Sequence, residues 1–521
     1  MGERGTSTSS PSGPPDPSGS PVGAAGGEST GLADLSASEA RWQLMTGELS
    51  SVELLDACLA RIEAVDPKVN AMVTRVAERA RDEAAAADRV AARGRSIGPL
   101  HGLPVAIKDL QATEGVRTTL GSGEFADHVP DADAAIVAKI RAAGGIVVGK
   151  TNIPERSIGA NTVNRLFGAT GNPFDPTRTC GGSSGGSAVA LATGMAPLAT
   201  GSDHGGSLRI PACFNGVVGY RATPGVVPFE ERSTPQTFYS VQGPMARSVD
   251  DVALLLSVVA QRGSRAPRDP MAYPLDAARL AELMPTDPGR LRIGWSEDLG
   301  GVLVSEPVRR AFRQRIEVLD RAVGLCEPVE VDLADAIDVD WRLRQDVFVT
   351  QYHAEVDGWD PGFNPNVRAT YDSALATPME AIARARRHQQ ELIHRFQALT
   401  DEYDAIVCPG VSVSPFPWAE LYPTVIDGEP VENYMAWLTL TAAITVIGHP
   451  VVALPAGLDE FGMPFGLQVI GRTYADRRLL SVARALEEGL AADPLTARPA
   501  PDLAALARST VDLTDVGDTL G

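Results

Sequence analysis

From Leu32 onward, apolar side chains come first at helical spacing and then in short runs. Ser36 with Glu39, and Ser50 with Glu53, form capping-box pairs that start helices. Val52, Leu55, Leu59 and Ile62 recur every three or four positions, which gives the second helix one face to bury. Positions 71–92 extend the pattern as a helix rich in Ala, Arg, Asp and Glu, whose charges form a solvated face. At Leu103 the texture changes. Residues 105–107 read as a buried strand, 134–143 as a helix and 146–149 as the next strand. A small-residue helix at 187–193 leads to a short buried strand at 196–200. Further strands fall at 291–295 and 404–408, with a helix-rich stretch between them that includes an amphipathic helix at 380–399. Two last strands, 451–454 and 465–470, are joined by a turn at 459–462, and a helix at 477–491 closes the pattern. Such alternation predicts a largely parallel or mixed sheet with helices on both faces. Reactive groups in these sheets collect at strand ends and on the loops after them. Lys108 follows one strand directly, and Ser207 lies just past another.

Composition narrows the picture at the ends of the chain. Residues 1–30 are Ser, Gly, Pro and Thr with almost no large apolar side chain, which predicts a disordered tail. They contain no hydrophobic core of a signal peptide, and no apolar run in the chain is long enough to span a membrane. A match to the myristoylation pattern at Met1–Thr6 is discounted as a chance feature of a Gly/Ser-rich segment. A cytoplasmic location is therefore expected. Residues 31–498 read as one domain, with no internal repeat or linker, and 499–521 as a loosely ordered tail. A net charge of −20 argues against nucleic-acid and anionic-membrane partners. The five cysteines are scattered and set mostly in apolar runs, so reduced buried thiols are expected. Cys180 is a candidate nucleophile by position, but packing is the better reading because no histidine is fixed beside it. No His or Cys spacing matches a metal site, and no cofactor is expected.

The chemistry concentrates between Thr179 and Pro211. Gly181, Gly182, Gly185 and Gly186 bracket Ser183 and Ser184, and a second glycine-rich turn ends in Asp203-His204-Gly205-Gly206-Ser207. Backbone N–H groups in such a turn can converge on an anion, and a serine at its end can attack a carbonyl beside them. These two clusters, with Gly102-Leu103-Pro104-Val105-Ala106-Ile107-Lys108-Asp109 upstream, resemble the amidase signature family of serine hydrolases. Further matches occur at Gly149-Lys150-Thr151-Asn152, Phe167–Pro173, Gly243–Arg247 and Gly466–Gly471. The resemblance implies that family's fold, a large mixed, mainly parallel, twisted sheet covered by helices on both faces. It implies a Ser–cis-Ser–Lys triad, with Lys108 as base, Ser183 as relay and Ser207 as nucleophile, and a cis peptide bond after Gly182. Burial lowers a lysine's pKa enough for this role. The oxyanion hole falls to the N–H groups of His204, Gly205, Gly206 and Ser207. Asp203, Arg209 and Ser184 take supporting roles. His204 departs from the residue usual there and is read as shaping the pocket.

Two other readings stand beside this one. Gly181–Gly185 also fits the nucleophile elbow of α/β-hydrolases, with Ser183 attacking and His449 as base. The glutamine amidase subunit of a tRNA-dependent amidotransferase is a relative of the same family, although Pro154–Gly159 departs from its usual segment. By analogy with the family, Phe125, Ile158, Phe238, Tyr239, Phe348, Phe416 and Trp418 line an aromatic pocket with few fixed charges. Such a pocket suits a small neutral aryl or alkyl amide, with carbamates as further substrates. A homodimer is left open.

Overall fold

The structure, a computed structural model, describes residues 31–232, 234–260, 268–273, 275–354, 356, 365–431 and 434–517. The 1–30 tail lies outside the described residues. Both capping boxes form: Ser36 starts the helix Ala37–Thr46, and Ser50 starts Ser51–Val69. The predicted helix at 71–92 is divided. Its first residues form strand β1 (Met72–Arg75), and the helix runs only over Ala77–Ala91. Asn70 takes a left-handed φ of 53°, and the N–H groups of Ala71 and Met72 donate to the Asp66 carboxylate at 2.7 and 2.9 Å. That turn redirects the chain into the sheet before helical propensity can act.

Ten more strands complete one sheet. They are β2 (Pro104–Lys108), β3 (Ile146–Thr151), β4 (Leu198–Asp203), β5 (Val218–Arg221), β6 (Val241–Ala246) and β7 (Arg292–Trp295). After these come β8 (Leu325–Pro328), β9 (Ala405–Pro409), β10 (Val451–Leu458) and β11 (Pro464–Ile470). The eleven run in the order β1-β3-β2-β4-β6-β5-β10-β11-β9-β7-β8. The sheet is mixed, as expected, but the balance is not mainly parallel. Six of the ten pairings are antiparallel, and four are parallel. The parallel pairs lie toward the two ends, and a continuous antiparallel block from β4 to β9 fills the middle. Part of that block is a hairpin of β10 and β11, joined by the turn after Asp459.

Strand alternation distributes the apolar side chains between two cores. Val105, Ile107, Val147 and Leu198 join one, packed under the helices Ala135–Ala142 and Val249–Val259. Ala106, Ile146, Val148 and Ala199 join the other, beneath Ser51–Val69 and Gly185–Ala192. Lys108 stands two residues after Ala106 and so faces the side on which Gly185–Ala192 packs. A register shift between Val105 and Ala106 sets Ala106 opposite Gly149 and Ile107 opposite Lys150. This bulge brings Lys150 to the opposite face from Lys108.

The segment after Pro499 also differs from expectation, because it packs. Leu503–Ala507 is helical and buries Leu506, and Leu513 is buried beside Val163, Ala169 and Trp418. Ala169 N donates to Leu513 O at 2.7 Å, and Lys68 Nζ donates to Ser509 O at 2.7 Å. Two apolar anchors are enough to hold a segment whose overall composition is polar. Among the described residues, no helix is long and apolar enough to cross a membrane.

Candidate active site

The sheet delivers Lys108 to the end of β2, and the turn before Gly185–Ala192 delivers two serines above it. Lys108 is fully buried, and its Nζ lies 2.7 Å from Ser183 Oγ, 3.0 Å from Ser184 Oγ and 2.8 Å from Ser202 Oγ. Burial pushes its pKa down to about 7, with Asp203 opposing the shift. The lysine is therefore largely neutral just above neutrality. The peptide bond between Gly182 and Ser183 is cis. Sequence reasoning missed Ser202. Its one signal was a hydroxyl beside Asp203 at the end of a strand otherwise made of small and apolar residues.

Hydrogen bonds fix the two serine turns against each other. Ser184 N donates to Ser207 O at 3.2 Å, Ser202 N to Ser184 Oγ at 3.2 Å, and Ser184 Oγ to Ser202 O at 3.3 Å. Lys108 N donates to Thr200 Oγ1 at 3.0 Å, which joins the lysine's own backbone to β4. Ser183 and Ser207 open onto one cavity of about 390 Å³.

Asp203 anchors the second turn. Its carboxylate accepts from Arg209 Nε and Nη2 at 2.9 and 3.0 Å and from Arg221 Nη1 at 3.1 Å. Burial alone would raise its pKa, but the two guanidiniums outweigh burial and hold the carboxyl well below the usual range. Arg209 continues to Thr441 O, Gln468 Oε1 and Thr445 Oγ1, locking the turn to the helix Thr439–Ile447 and to β11. The same carboxylate corrects one expectation. Gly206 N donates to Asp203 Oδ1 at 2.9 Å, so this N–H is engaged within the turn. The N–H groups of His204, Gly205 and Ser207 have no partner among the described residues. Gly206 has a φ of 138°, and a Cβ there would stand 2.4 Å from Thr441 Oγ1, so only glycine fits.

His204 lines the cavity, its Nδ1 2.8 Å from Ser240 Oγ and its ring centroid 4.9 Å from that of Tyr239. Burial, then the guanidiniums of Arg344 and Arg221, hold its pKa well below the ordinary value, so the imidazole is neutral. Of the seven expected pocket residues, Ile158 and Phe348 line the cavity. Five do not. Phe125 lies outside it, 5.2 Å from the guanidinium of Arg156. Phe238 packs against Gly448, and Tyr239 is buried behind His204 with its hydroxyl donating to Asp340 Oδ1 at 2.8 Å. Phe416 stacks edge-on with Trp437, and Trp418 Nε1 donates to Pro176 O, both within the core. Tyr239, Phe416 and Trp418 are thus core material, while Phe125 and Phe238 are half-buried outside this cavity. The expectation of few charges also fails, because Arg156, Glu231, Arg232 and Arg344 all reach the cavity wall. Val347, Phe348, Tyr434, Met435 and Leu438 supply much of its apolar surface.

His449 does not serve the nucleophile-elbow alternative as its base. His449 Nδ1 is bound to Gly471 O at 2.8 Å, its ring meets Phe396 edge-on, and burial lowers its pKa to about 4. The histidine does not line the cavity. Burial pushes the Cys180 thiol up to about 12, which makes it a packing residue rather than a thiolate.

The chain contains four lysines, and each side-chain amine is engaged. Lys150 Nζ is held by Gln111 O and, at 2.8 and 3.1 Å, by Thr113 Oγ1 and Thr118 Oγ1. Lys139 Nζ donates to Val259 O at 2.8 Å, and Lys68 to Ser509 O as above.

Comparison with known proteins agrees with this architecture. The Amidase family profile matches residues 53–480. An acylamidase of Rhodococcus erythropolis is 31% identical over 469 residues, covering 87% of this chain and 95% of the relative. A glutamyl-tRNA(Gln) amidotransferase subunit of Moorella thermoacetica is 34% identical over 465 residues, covering 85% and 93%. A bacterial aryl acylamidase of the amidase signature enzymes superposes with a TM-score of 0.80 at 26% identity, covering 92% of this chain and 99% of that one. A sheet that brings a buried lysine under two serine turns, with the family profile matched from Glu53 to Leu480, makes this chain a member of the amidase signature family of amide-hydrolysing enzymes.

Proposed function

We propose that the protein hydrolyses neutral aryl or alkyl amides, and carbamates of similar shape, through an acyl-enzyme on Ser207. The observation that carries this reading is the hydrogen bond of 2.7 Å between Lys108 Nζ and Ser183 Oγ at a lysine that burial brings to about 7. Ser207 Oγ attacks the scissile carbonyl and passes its proton to Ser183, which passes its own to neutral Lys108. The oxyanion is received by the N–H groups of His204, Gly205 and Ser207. The lysine proton returns through Ser183 to the leaving nitrogen, the C–N bond breaks, and water then hydrolyses the ester. A carbamate presents the same carbonyl and C–N bond. Apolar lining from Ile158, Val347, Phe348 and Leu438 supports an apolar substrate.

A second reading is favoured by the relatives that are named as glutamyl-tRNA(Gln) amidotransferase subunits. Steady-state kinetics with an anilide, an aryl carbamate and glutamine separate the two, alongside mapping of a fluorophosphonate label. The label is expected on Ser207, and the anilide or carbamate is expected to give the highest kcat/KM. A higher kcat/KM for glutamine than for both overturns the substrate class, and a label on Ser183 overturns the assignment of nucleophile.

A further inference from the structure

Arg344 lies on the helix Ala336–Tyr352, four residues after Asp340. Its Nε and Nη2 both donate to the Asp340 carboxylate at 3.1 Å, and Asp340 also receives the Tyr239 hydroxyl. That grip fixes the guanidinium plane directly against the oxyanion turn. A Cβ built on Gly205 would meet Arg344 Nη2 at 2.7 Å and Nη1 at 3.6 Å. The side chain is 9% exposed and lines the cavity, and Nη1 has no hydrogen-bond partner among the described residues. Asp340 itself does not line the cavity. The cavity therefore meets the donor edge of the pair, and the balancing charge stays behind the wall.

We propose that Arg344 determines specificity by donating from Nη1 to a hydrogen-bond acceptor on the substrate, within a few bonds of the scissile carbonyl. The inference rests on the amidase reading above and changes its substrate class from neutral apolar amides to amides with a second acceptor, neutral or anionic. Nη1 is not among the buried unpartnered atoms, so its N–H is open to the cavity, where a substrate acceptor can take the place of water. Guanidinium is suited to this because its fork stays planar when one edge is already occupied. Its charge is offset by Asp340, so a carbonyl oxygen is received as well as a carboxylate. The sequence-based expectation of a cavity with few fixed charges hid this residue.

Two isosteric series test it. On the acyl side these are the 4-nitroanilides of succinic, succinamic and 4-methylpentanoic acids. On the amine side they are the acetyl derivatives of β-alanine, β-alaninamide and 3-methylbutylamine. In each trio one terminal group changes from carboxylate to carboxamide to two methyls at nearly constant shape. The wild-type enzyme is expected to prefer an acceptor-bearing member over the methyl isostere by roughly tenfold to a hundredfold in kcat/KM, in one series or both. A leading carboxylate identifies an anionic substrate, a leading carboxamide a neutral one, and both uphold the proposal. In Arg344→Met the preference should fall to threefold or less. The double variant Arg344→Gln with Asp340→Asn should behave alike, without leaving a buried carboxylate unpaired. A wild-type enzyme with no preference in either series overturns the proposal, and so does a preference that survives in a folded variant. Failure of the amidase reading would look different, as an enzyme that turns over none of the six and leaves Ser207 unacylated.

Discussion

A neutral amine has two N–H donors and one lone pair, and Lys108 has three hydroxyls around it. Ser184 sends its own proton to Ser202 O, so toward the lysine it acts as an acceptor. Ser202 can take the second N–H, which leaves the lone pair for the hydroxyl of Ser183. In the proposed relay, the direction of proton flow is thus set by Ser184 and Ser202, which are neither nucleophile nor relay. Activity should follow the neutral fraction of Lys108. With a folded pKa of about 7, the ammonium dominates below that value and blocks proton transfer. The kcat/KM profile is expected to climb tenfold per pH unit below about 7 and to level off above it. Ser202→Ala removes an acceptor that favours the ammonium, so its acidic limb should move to lower pH, with kcat reduced about tenfold. An unmoved limb in that variant would show that Ser202 only fills space.

Elements with a strong local signature were legible in the sequence, and those that depend on distant partners were not. The two capping boxes were readable because Ser and Glu satisfy each other within one turn. Strand β1 was not, since the residues that create it are an Asp66 carboxylate behind it and the edge of β3 beside it. The same division holds at the site. Lys108, Ser183 and Ser207 announce themselves by motif, whereas Ser202 and Arg344 become meaningful only once β4 and the helix Ala336–Tyr352 are in place. Aromatic loops misled for the same reason, because burial in a core and exposure to a cavity leave identical traces in sequence. The turn proposed to receive the oxyanion gives a sharp test at this scale. Gly206→Ala combines a φ of 138° with a Cβ 2.4 Å from Thr441 Oγ1, so the turn must shift. We expect a fall in kcat of about a hundredfold, with far-UV circular dichroism unchanged. Near-normal turnover would show that the N–H groups of this turn carry little of the catalysis.

Across the whole molecule, the last described residues return to the first helices and to the loop before the active site. Leu506 packs into the core beneath Ser51–Val69, and Leu513 closes over Val163 and Ala169. Truncation after Ala500 exposes both leucines' pockets and should cost about 3 kcal/mol or more. The expected readout is a lower melting temperature by several degrees, and an unchanged one would mean that the segment adds nothing to stability. The distribution of lysine has a practical consequence. All four amines are hydrogen-bonded, and none belongs to a fully exposed side chain. Reagents that couple proteins to supports through lysine find few handles on this one, and the amine that matters most is sealed beneath two serine turns. The 66 aspartates and glutamates give carbodiimide chemistry a far richer surface, so tethering through carboxylates is the gentler way to immobilise a working catalyst.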